Sequence, residues 1–561
     1  MTIRKLRARL AVGVVPFLGL TLAGPAVAQD AATPAIAAEA ADTGKTADTA
    51  DTADTAGPVK RSAVIDKQAI TDPVLRGLYA KAGWRGLWST STIAAFDQVL
   101  ADRARHGLDQ VIFLPTPTEG MTAADTDIAR TKAALDYATA LAQGRVDPTT
   151  LQPVYTLPRP KADLVAAFAR ALAKGDLAAW FASLPPQDPE YRQLSDAYLA
   201  FSTKAAAGTP VEAIPAGLIR VGNRDPRVVT IVEQLVESGY LAAPSGLAPA
   251  SAPVSAPAPT PAASPGIALG TGQRVAPAAP LYTSAIAEAM KGLQTDYGIA
   301  ADGVVGPETL KVLNLGAGDR ARALAVGLER RRWLARTPPA TRIDVNTAAA
   351  QLRYYRDGTM VDQRKVIVGE AGHETPPLFS PIYRLVANPT WTVPKSIQNG
   401  EMANVGEEYL AAHDMVMRDG WIVQQPGPSN ALGLVKFDMA NDQAIYLHDT
   451  SAPALFDRSQ RHLSHGCVRV EDALGFAQTL AEDEGVTEAW QTAQNSGEMT
   501  FVPLPRRIPV RLLYHNVYVD DGGRVAFRTD PYGWNDPIAE QLGFAKASAK
   551  RAEAQAIDIG P

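Results

Sequence analysis

A multidomain α+β chain is predicted, in which a mostly β, β-sandwich-like domain follows a helical domain and a small helical module. Three observations predict it. Beyond Arg342, short β-branched and aromatic runs recur between turn residues; upstream, apolar residues fall at helical spacing; and two low-complexity stretches divide the chain.

The N-terminus carries Arg4, Lys5, Arg7 and Arg9, then an apolar run from Leu10 to Leu22, then Ala26-Val27-Ala28, the pattern of a secretory signal peptide over 1–28. The run is too short and too broken by Gly and Pro to span a bilayer. No later segment offers about 18 uninterrupted apolar residues, so no membrane span is expected after cleavage. Residues 29–57, rich in Ala, Thr and Asp, lack the large apolar side chains that offset ordering entropy and are expected to form a disordered spacer. Residues 242–280, rich in Pro, Ala and Ser, have the composition of an extended linker.

Between them, 58–241 is expected to be helical. Ile93, Phe96, Val99 and Leu100 mark one apolar face; Ile231, Val232, Leu235 and Val236 mark another, with Asp225 and Pro226 placed as N-cap and first helical residue. No catalytic constellation is visible there, and a scaffold is the expectation. In the module over 281–315, Ile286, Ala289, Met290 and Leu293 follow a Thr283/Ser284 cap, and Pro307 opens a second helix. The Arg330-Arg331-Arg332 cluster before Trp333 is expected to be the solvated face of a helix.

The β domain is expected over 340–515, with 516–561 as a C-terminal extension. Strands are predicted at 342–345, 352–355, 366–368, 382–387, 422–424, 434–437, 445–447 and 510–514, with Asp357-Gly358 as a turn. A helix is predicted from about Glu471 to Ala481. A net charge of −5 with 46% apolar residues is ordinary for a globular chain. The basic residues form no stripe with interleaved aromatics, which argues against nucleic acid as a partner.

Cys467 is the single cysteine among 561 residues, so it makes no intramolecular disulfide and no Cys-rich metal site. It sits in Ser464-His465-Gly466-Cys467-Val468-Arg469, where a thiol, an imidazole, a permissive glycine and a cation coincide. A thiolate nucleophile needs a base within reach and donors for an oxyanion. His465 shares a tight turn with the thiol; His448 ends a predicted strand and can approach from across a sheet, so His448 is expected to capture the thiol proton. The amides of Gly466 and Cys467, supported by His465, are expected to face the oxyanion, and the Arg469 fork suits a substrate carboxylate.

The run from Val423 to Gly433, Lys436-Phe437, Tyr446-Leu447-His448-Asp449-Thr450 and Ser464 to Arg469 strongly resemble the L,D-transpeptidase (YkuD-type) catalytic domain, as does Asn388 to Ile397. Gln294 with Gly303 to Leu310 resembles a type 1 peptidoglycan-binding domain, and Gly144 to Pro148 with Leu184 to Tyr191 resembles the scaffold domain of the same enzymes. The resemblance implies acyl transfer at peptidoglycan stem peptides. Cys467 attacks the carbonyl between the third residue, a diamino acid, and terminal D-Ala; the amine of a neighbouring stem then resolves the thioester into a 3–3 cross-link. It implies His448 as the acid/base, oriented by the Asp449 backbone carbonyl, with Ser464, Tyr446 and Trp391 contacting substrate. The implied partner is peptidoglycan, the expected compartment is the periplasm, and neither cofactor nor metal is implied.

Hydrolysis, D-amino acid exchange and lipoprotein anchoring share this chemistry. A lid over about 398–420 favours transfer by excluding water. A noncatalytic wall-binding protein is the rival of another class, and the full set of site residues argues against it. Ser-x-x-Lys, Lys-Thr-Gly and His-Glu-x-x-His do not occur, which disfavours penicillin-binding and zinc-peptidase chemistry. Oligomeric state is not legible.

Overall fold

A computed structural model describes residues 63–208, 213–242 and 279–545. The expected signal peptide, the 29–57 spacer and nearly all of the 242–280 linker lie outside the described residues. No described helix is long and apolar enough to cross a membrane.

The N-terminal part is helical as its spacing predicts. The helix Thr90–Ala101 starts at Ser89, whose side chain forms a capping box with Thr92. Phe96 on its inner face is fully buried, and Ile93, Val99 and Leu100 pack against the same core. Trp88, Phe96, Phe168 and Phe181 form its aromatic centre, Phe96 lying 5.3 Å from Trp88 and 5.6 Å from Phe181 by ring centroids.

The helix Ala317–Arg332 threads this core, and its arginines are not the solvated face expected of them. Arg332 is fully buried and Arg330 nearly so. Each guanidinium reaches partners on surrounding segments, which is what makes burial of the charge tolerable. Arg330 donates to Asn516, Asn535 and the Trp534 carbonyl, and Arg331 pairs with Glu190 at 2.6 Å. Arg332 meets Glu329 at 2.6 Å with neither side chain exposed, and also donates to the His106 carbonyl and Tyr191. The other Glu329 oxygen accepts from Val146 N–H at 2.7 Å and the Trp333 indole at 3.1 Å. One carboxylate thus ties this helix to the segment after Ala123–Gln143.

The small module is built from Ser284–Tyr297 and Pro307–Leu313. Thr283 caps the first helix and Pro307 opens the second. Gln294, 1% exposed, donates to Asp302, Val304 O and Thr309 and accepts from Gly303 N–H, so one amide organises the loop between the helices. The helix Val228–Glu237, expected within the scaffold domain over 58–241, packs instead into this module's core through Val228, Ile231 and Leu235. It begins two residues after Pro226. Asp225 accepts from the N–H and side chain of Arg227, forming a separate turn ahead of the helix.

The β domain holds β1 (Arg342–Asn346), β2 (Gln351–Arg356), β3 (Thr359–Gly369), β4 (Leu378–Ala387), β5 (Trp391–Thr392), β6 (Met415–Arg418), β7 (Trp421–Gln424), β8 (Val435–Met439), β9 (Leu447–His448), β10 (His462–Ser464), β11 (Val468–Val470) and β12 (Thr500–Leu513). A nine-stranded sheet runs β10-β3-β11-β9-β8-β4-β12-β1-β2, and β2 also pairs with β3, so the sheet folds over onto itself around one core. Alternation fills that core: Ile343 and Val345 of β1 and Leu352 and Tyr354 of β2 are all fully buried. Asp357 and Gly358 both have positive φ, as the predicted β2–β3 turn requires. The helix Ala473–Asp483 covers the core with Phe476 and Leu480, and Thr487–Asn495 adds Trp490. The hairpin of β13 (Val517–Val519) and β14 (Val525–Phe527) joins the helical part, Val517 lying in its core.

Glu329→Ala leaves the Arg332 charge buried without its carboxylate. We expect a loss of about 3–5 kcal/mol in stability, measured as a lower denaturant midpoint, with most of it regained when Arg332→Met is added. An unchanged midpoint in the single variant would contradict the role given to this pair.

Candidate active site

The site is set by β9, a strand of two residues held between two neighbours. Leu447 stands opposite Phe437 of β8 and Val468 of β11, and His448 opposite Lys436 and Arg469. Leu447, Phe437 and Val468 are fully buried in the sheet core. Side chains alternate along a strand, so Lys436, His448 and Arg469 share the opposite face. Two residues earlier on each chain, Tyr446 and Cys467 fall on that face as well. The ring of Tyr446 lies 5.6 Å from that of His448, and Lys436 Nζ sits 4.2 Å over the Tyr446 ring.

The turn before β11 is tightly specified. Gly466 has φ of 108°, a region L side chains rarely adopt, which explains glycine there. Ser464, 3% exposed, donates to the Cys467 carbonyl at 2.6 Å and accepts from Gly466 N–H at 3.2 Å. Thr375 donates to the Gly466 carbonyl and accepts from Gly369 N–H, both at 2.8 Å. The Cys467 thiol points at the Ala444 carbonyl, 3.7 Å away, and contacts Tyr446. Ala444 itself has positive φ, in a loop braced by Asn441, which accepts from Gln443 and Ile445 N–H.

Burial pushes the Cys467 thiol above its ordinary range, with the Tyr446 backbone and phenol, Lys436 and Arg469 pulling the other way. Burial, helped by Arg469 and Lys436, pushes His448 down to about 3. The resting pair is therefore a neutral thiol and a neutral imidazole. The expectation that His448 holds the thiol as thiolate is corrected: no hydrogen bond joins the two among the described residues, and desolvation penalises both charged forms. Arg469 is half-buried, its Nε has no partner, and no ion pair engages it among the described residues, leaving the fork open to a ligand.

Other expected residues fall differently. The Asp449 backbone interacts with His448 and favours its charged form, as expected of an orienting carbonyl, but the contact is weak in geometry, since His448 Nδ1 has no partner of full hydrogen-bond geometry among the described residues. Asp449 also uses its carboxylate to accept Leu434 N–H at 2.8 Å, in space that a side chain on Gly433 would fill. Ser464 is buried and committed to the turn rather than open to substrate. Gly466 N–H is taken by Ser464, whereas Cys467 N–H finds no intramolecular acceptor among the described residues and is the amide free for an oxyanion. Trp391 sits in β5, half-buried against a separate core of Val393, Leu410, Met415 and Ile422, and makes no hydrogen bond or ring contact with Cys467 or His448.

That separate core belongs to a small layer of β5, β7 and β6 with the short helices Lys395–Asn399 and Glu407–Ala412, and it includes the expected lid. Glu401 from this layer meets His465 Nε2 at 2.7 Å. His465 is exposed and faces the lid, not the thiol. Lys436, Thr375, Glu401 and Ala444 were not assigned roles by sequence reasoning. Lys436 alone carried a local signal, alternating with core residues in a strand that leads towards His448.

Residues 340–488 match the L,D-transpeptidase catalytic domain family (YkuD), and residues 73–198 match a scaffold domain. A putative L,D-transpeptidase of Haemophilus influenzae is 32% identical over 220 residues, covering 35% of this chain and 45% of that protein. The chain thus spans less than half the length of the curated relative it matches. An L,D-transpeptidase (Yku) structure from Stackebrandtia nassauensis is 16% identical, aligning 42% of this chain with 80% of that one at TM-score 0.20. One from Xylanimonas cellulosilytica is 16% identical, aligning 53% with 98% at TM-score 0.17. Superpositions this loose carry no weight beside the family matches. The chain carries a YkuD-type L,D-transpeptidase catalytic domain and, ahead of it, a scaffold domain.

With the thiol raised by burial, alkylation of Cys467 by iodoacetamide should show a pH midpoint above the roughly 8.5 of a free thiol. Tyr446→Phe should move it further up, because the phenol favours the thiolate. A wild-type midpoint below 7 would contradict this electrostatic picture.

Proposed function

We propose that the chain is a peptidoglycan L,D-transpeptidase with Cys467 as nucleophile and His448 as general base, forming 3–3 cross-links. The observation that carries this reading is the sole cysteine on the same sheet face as a buried neutral imidazole flanked by Lys436 and Arg469. A neutral imidazole can take a proton at neutral pH, and a neutral thiol can supply it as the carbon–sulfur bond forms. Base and nucleophile need not be charged beforehand.

Acylation proceeds in balanced steps. The thiol turns from Ala444 O, its sulfur attacks the carbonyl between the third residue and terminal D-Ala, and its proton passes to His448. The developing oxyanion takes the Cys467 N–H, with Lys436 and Arg469 adding positive potential in a dry site. His448 then protonates the leaving amine, the C–N bond breaks, and D-Ala departs from the thioester. The amine of a neighbouring stem attacks the thioester, His448 accepts its proton, and the thiol is regenerated. Arg469, with no ion-pair partner among the described residues, is suited to a carboxylate of the stem.

Transfer rather than hydrolysis is favoured by the lid layer, whose Glu401 reaches the turn bearing Cys467. The module organised by Gln294 serves as the peptidoglycan-binding unit and keeps the enzyme near its polymer. A leader over 1–28 delivers the chain to the periplasm.

Incubation of purified protein with tetrapeptide-rich sacculi, followed by mass spectrometry of muropeptides, should give 3–3 linked dimers and free D-Ala. Cys467→Ala should give none, and His448→Ala a rate lower by roughly 10²–10⁴-fold. Tripeptide monomers alone would reassign the enzyme as a carboxypeptidase, and unchanged muropeptides would reject the proposal.

A further inference from the structure

The face of the Cys467 turn directed at the lid carries a second constellation that acyl transfer does not use. Glu370, His373 and His465 each present one potential ligand atom, and these atoms all lie within 4.8 Å of one another. The rings of His373 and His465 are 4.7 Å apart, and His373 Nδ1 lies 3.5 Å from a Glu370 oxygen. Two of the chain's seven histidines, distant in sequence, are thus brought together at a surface where each stays accessible.

The backbone beneath these side chains is fixed. Glu370 N–H donates to Ser464 O at 2.9 Å, His373 N–H to Glu370 O at 3.0 Å, and Tyr532 holds Gly369 O at 2.6 Å. Thr375 pins the same loop to Gly466 O. Such anchoring lowers the ordering cost of bringing three ligands to one ion.

We propose that Glu370, His373 and His465 form a binding site for a borderline divalent transition metal such as Zn²⁺. Two imidazoles and one carboxylate are the ligand types such an ion prefers over Ca²⁺ or Mg²⁺, which take all-oxygen sets. Ligand atoms about 2.0–2.2 Å from a tetrahedral ion lie roughly 3.3–3.6 Å from one another, a contraction that side-chain rotation supplies. The Glu401 carboxylate, already 2.7 Å from His465 Nε2, either completes the set or orients the ligating ring from behind. An ion held there links the lid layer to the turn carrying Cys467. Its effect on acyl transfer rests on the function proposed above; binding itself does not.

The test is Zn²⁺ titration of the untagged full-length protein by calorimetry, with Co²⁺ absorption as a second readout. The expected result is saturable binding of one ion per chain. Affinity should fall by at least the roughly 10–100-fold that loss of a supporting partner costs in both His373→Ala and Glu370→Gln, and stay unchanged in Cys467→Ser. Thermal midpoints in EDTA should match across the variants, while Zn²⁺ raises only those that retain the site. Absence of binding in the wild type would overturn the proposal. So would undiminished binding in His373→Ala and Glu370→Gln, or binding abolished by Cys467→Ser, which would move the ion to the thiol.

Discussion

The site depends on the parity of a two-residue strand. β9 is held on both sides, and whichever of its residues faces the core sends the other to the reactive face. Leu447 meets Phe437 and Val468 in the core, so His448 emerges between Lys436 and Arg469. A slip of β9 by one residue would expose Leu447 and drive the His448 imidazole into an apolar core without a partner, a cost of roughly 2–7 kcal/mol for the unpaired polar group alone, which is a large share of an ordinary domain's stability. The hydrophobic pattern therefore fixes the register of the candidate site, and Tyr446 and Cys467 follow by alternation.

That placement shapes the chemistry. His448 is 5% exposed and flanked by two cations, so protonating it is costly at rest; the buried sulfur is equally reluctant to ionise. In the proposed reaction such a pair is quiet without substrate and would exchange its proton only during bond formation, when the charge is spread over the developing oxyanion. The turn beneath the sulfur is held by Ser464 and Thr375, which consume polar groups that would otherwise compete for the substrate. Among the described residues, nothing occupies the Cys467 N–H or the Arg469 fork.

Much of this was legible in the sequence because it is local. The glycine before Cys467, the strand ending at His448 and the Asp357-Gly358 turn each follow from residue type and spacing. What was missed depends on partners far along the chain. Arg330, Arg331 and Arg332 look like a solvated cluster until Glu190, Glu329 and Asn516 surround them. Ser464 looks available until the turn claims both sides of its hydroxyl. β11 has three residues, too short for a periodic signal, and it delayed the helix expected from Glu471 to Ala473. The Glu370–His373 loop joins His465 only because β10 runs parallel to the end of β3.

The central claim is that Cys467 alone accepts the acyl group, with His448 moving the proton. Intact-protein mass spectrometry after exposure to a carbapenem, whose strained amide stands in for the acyl donor, tests it most directly. One adduct mass should appear on the wild type, far more slowly on His448→Ala, and never on Cys467→Ala. An equal adduct on Cys467→Ala, or wild-type speed in His448→Ala, would contradict the account.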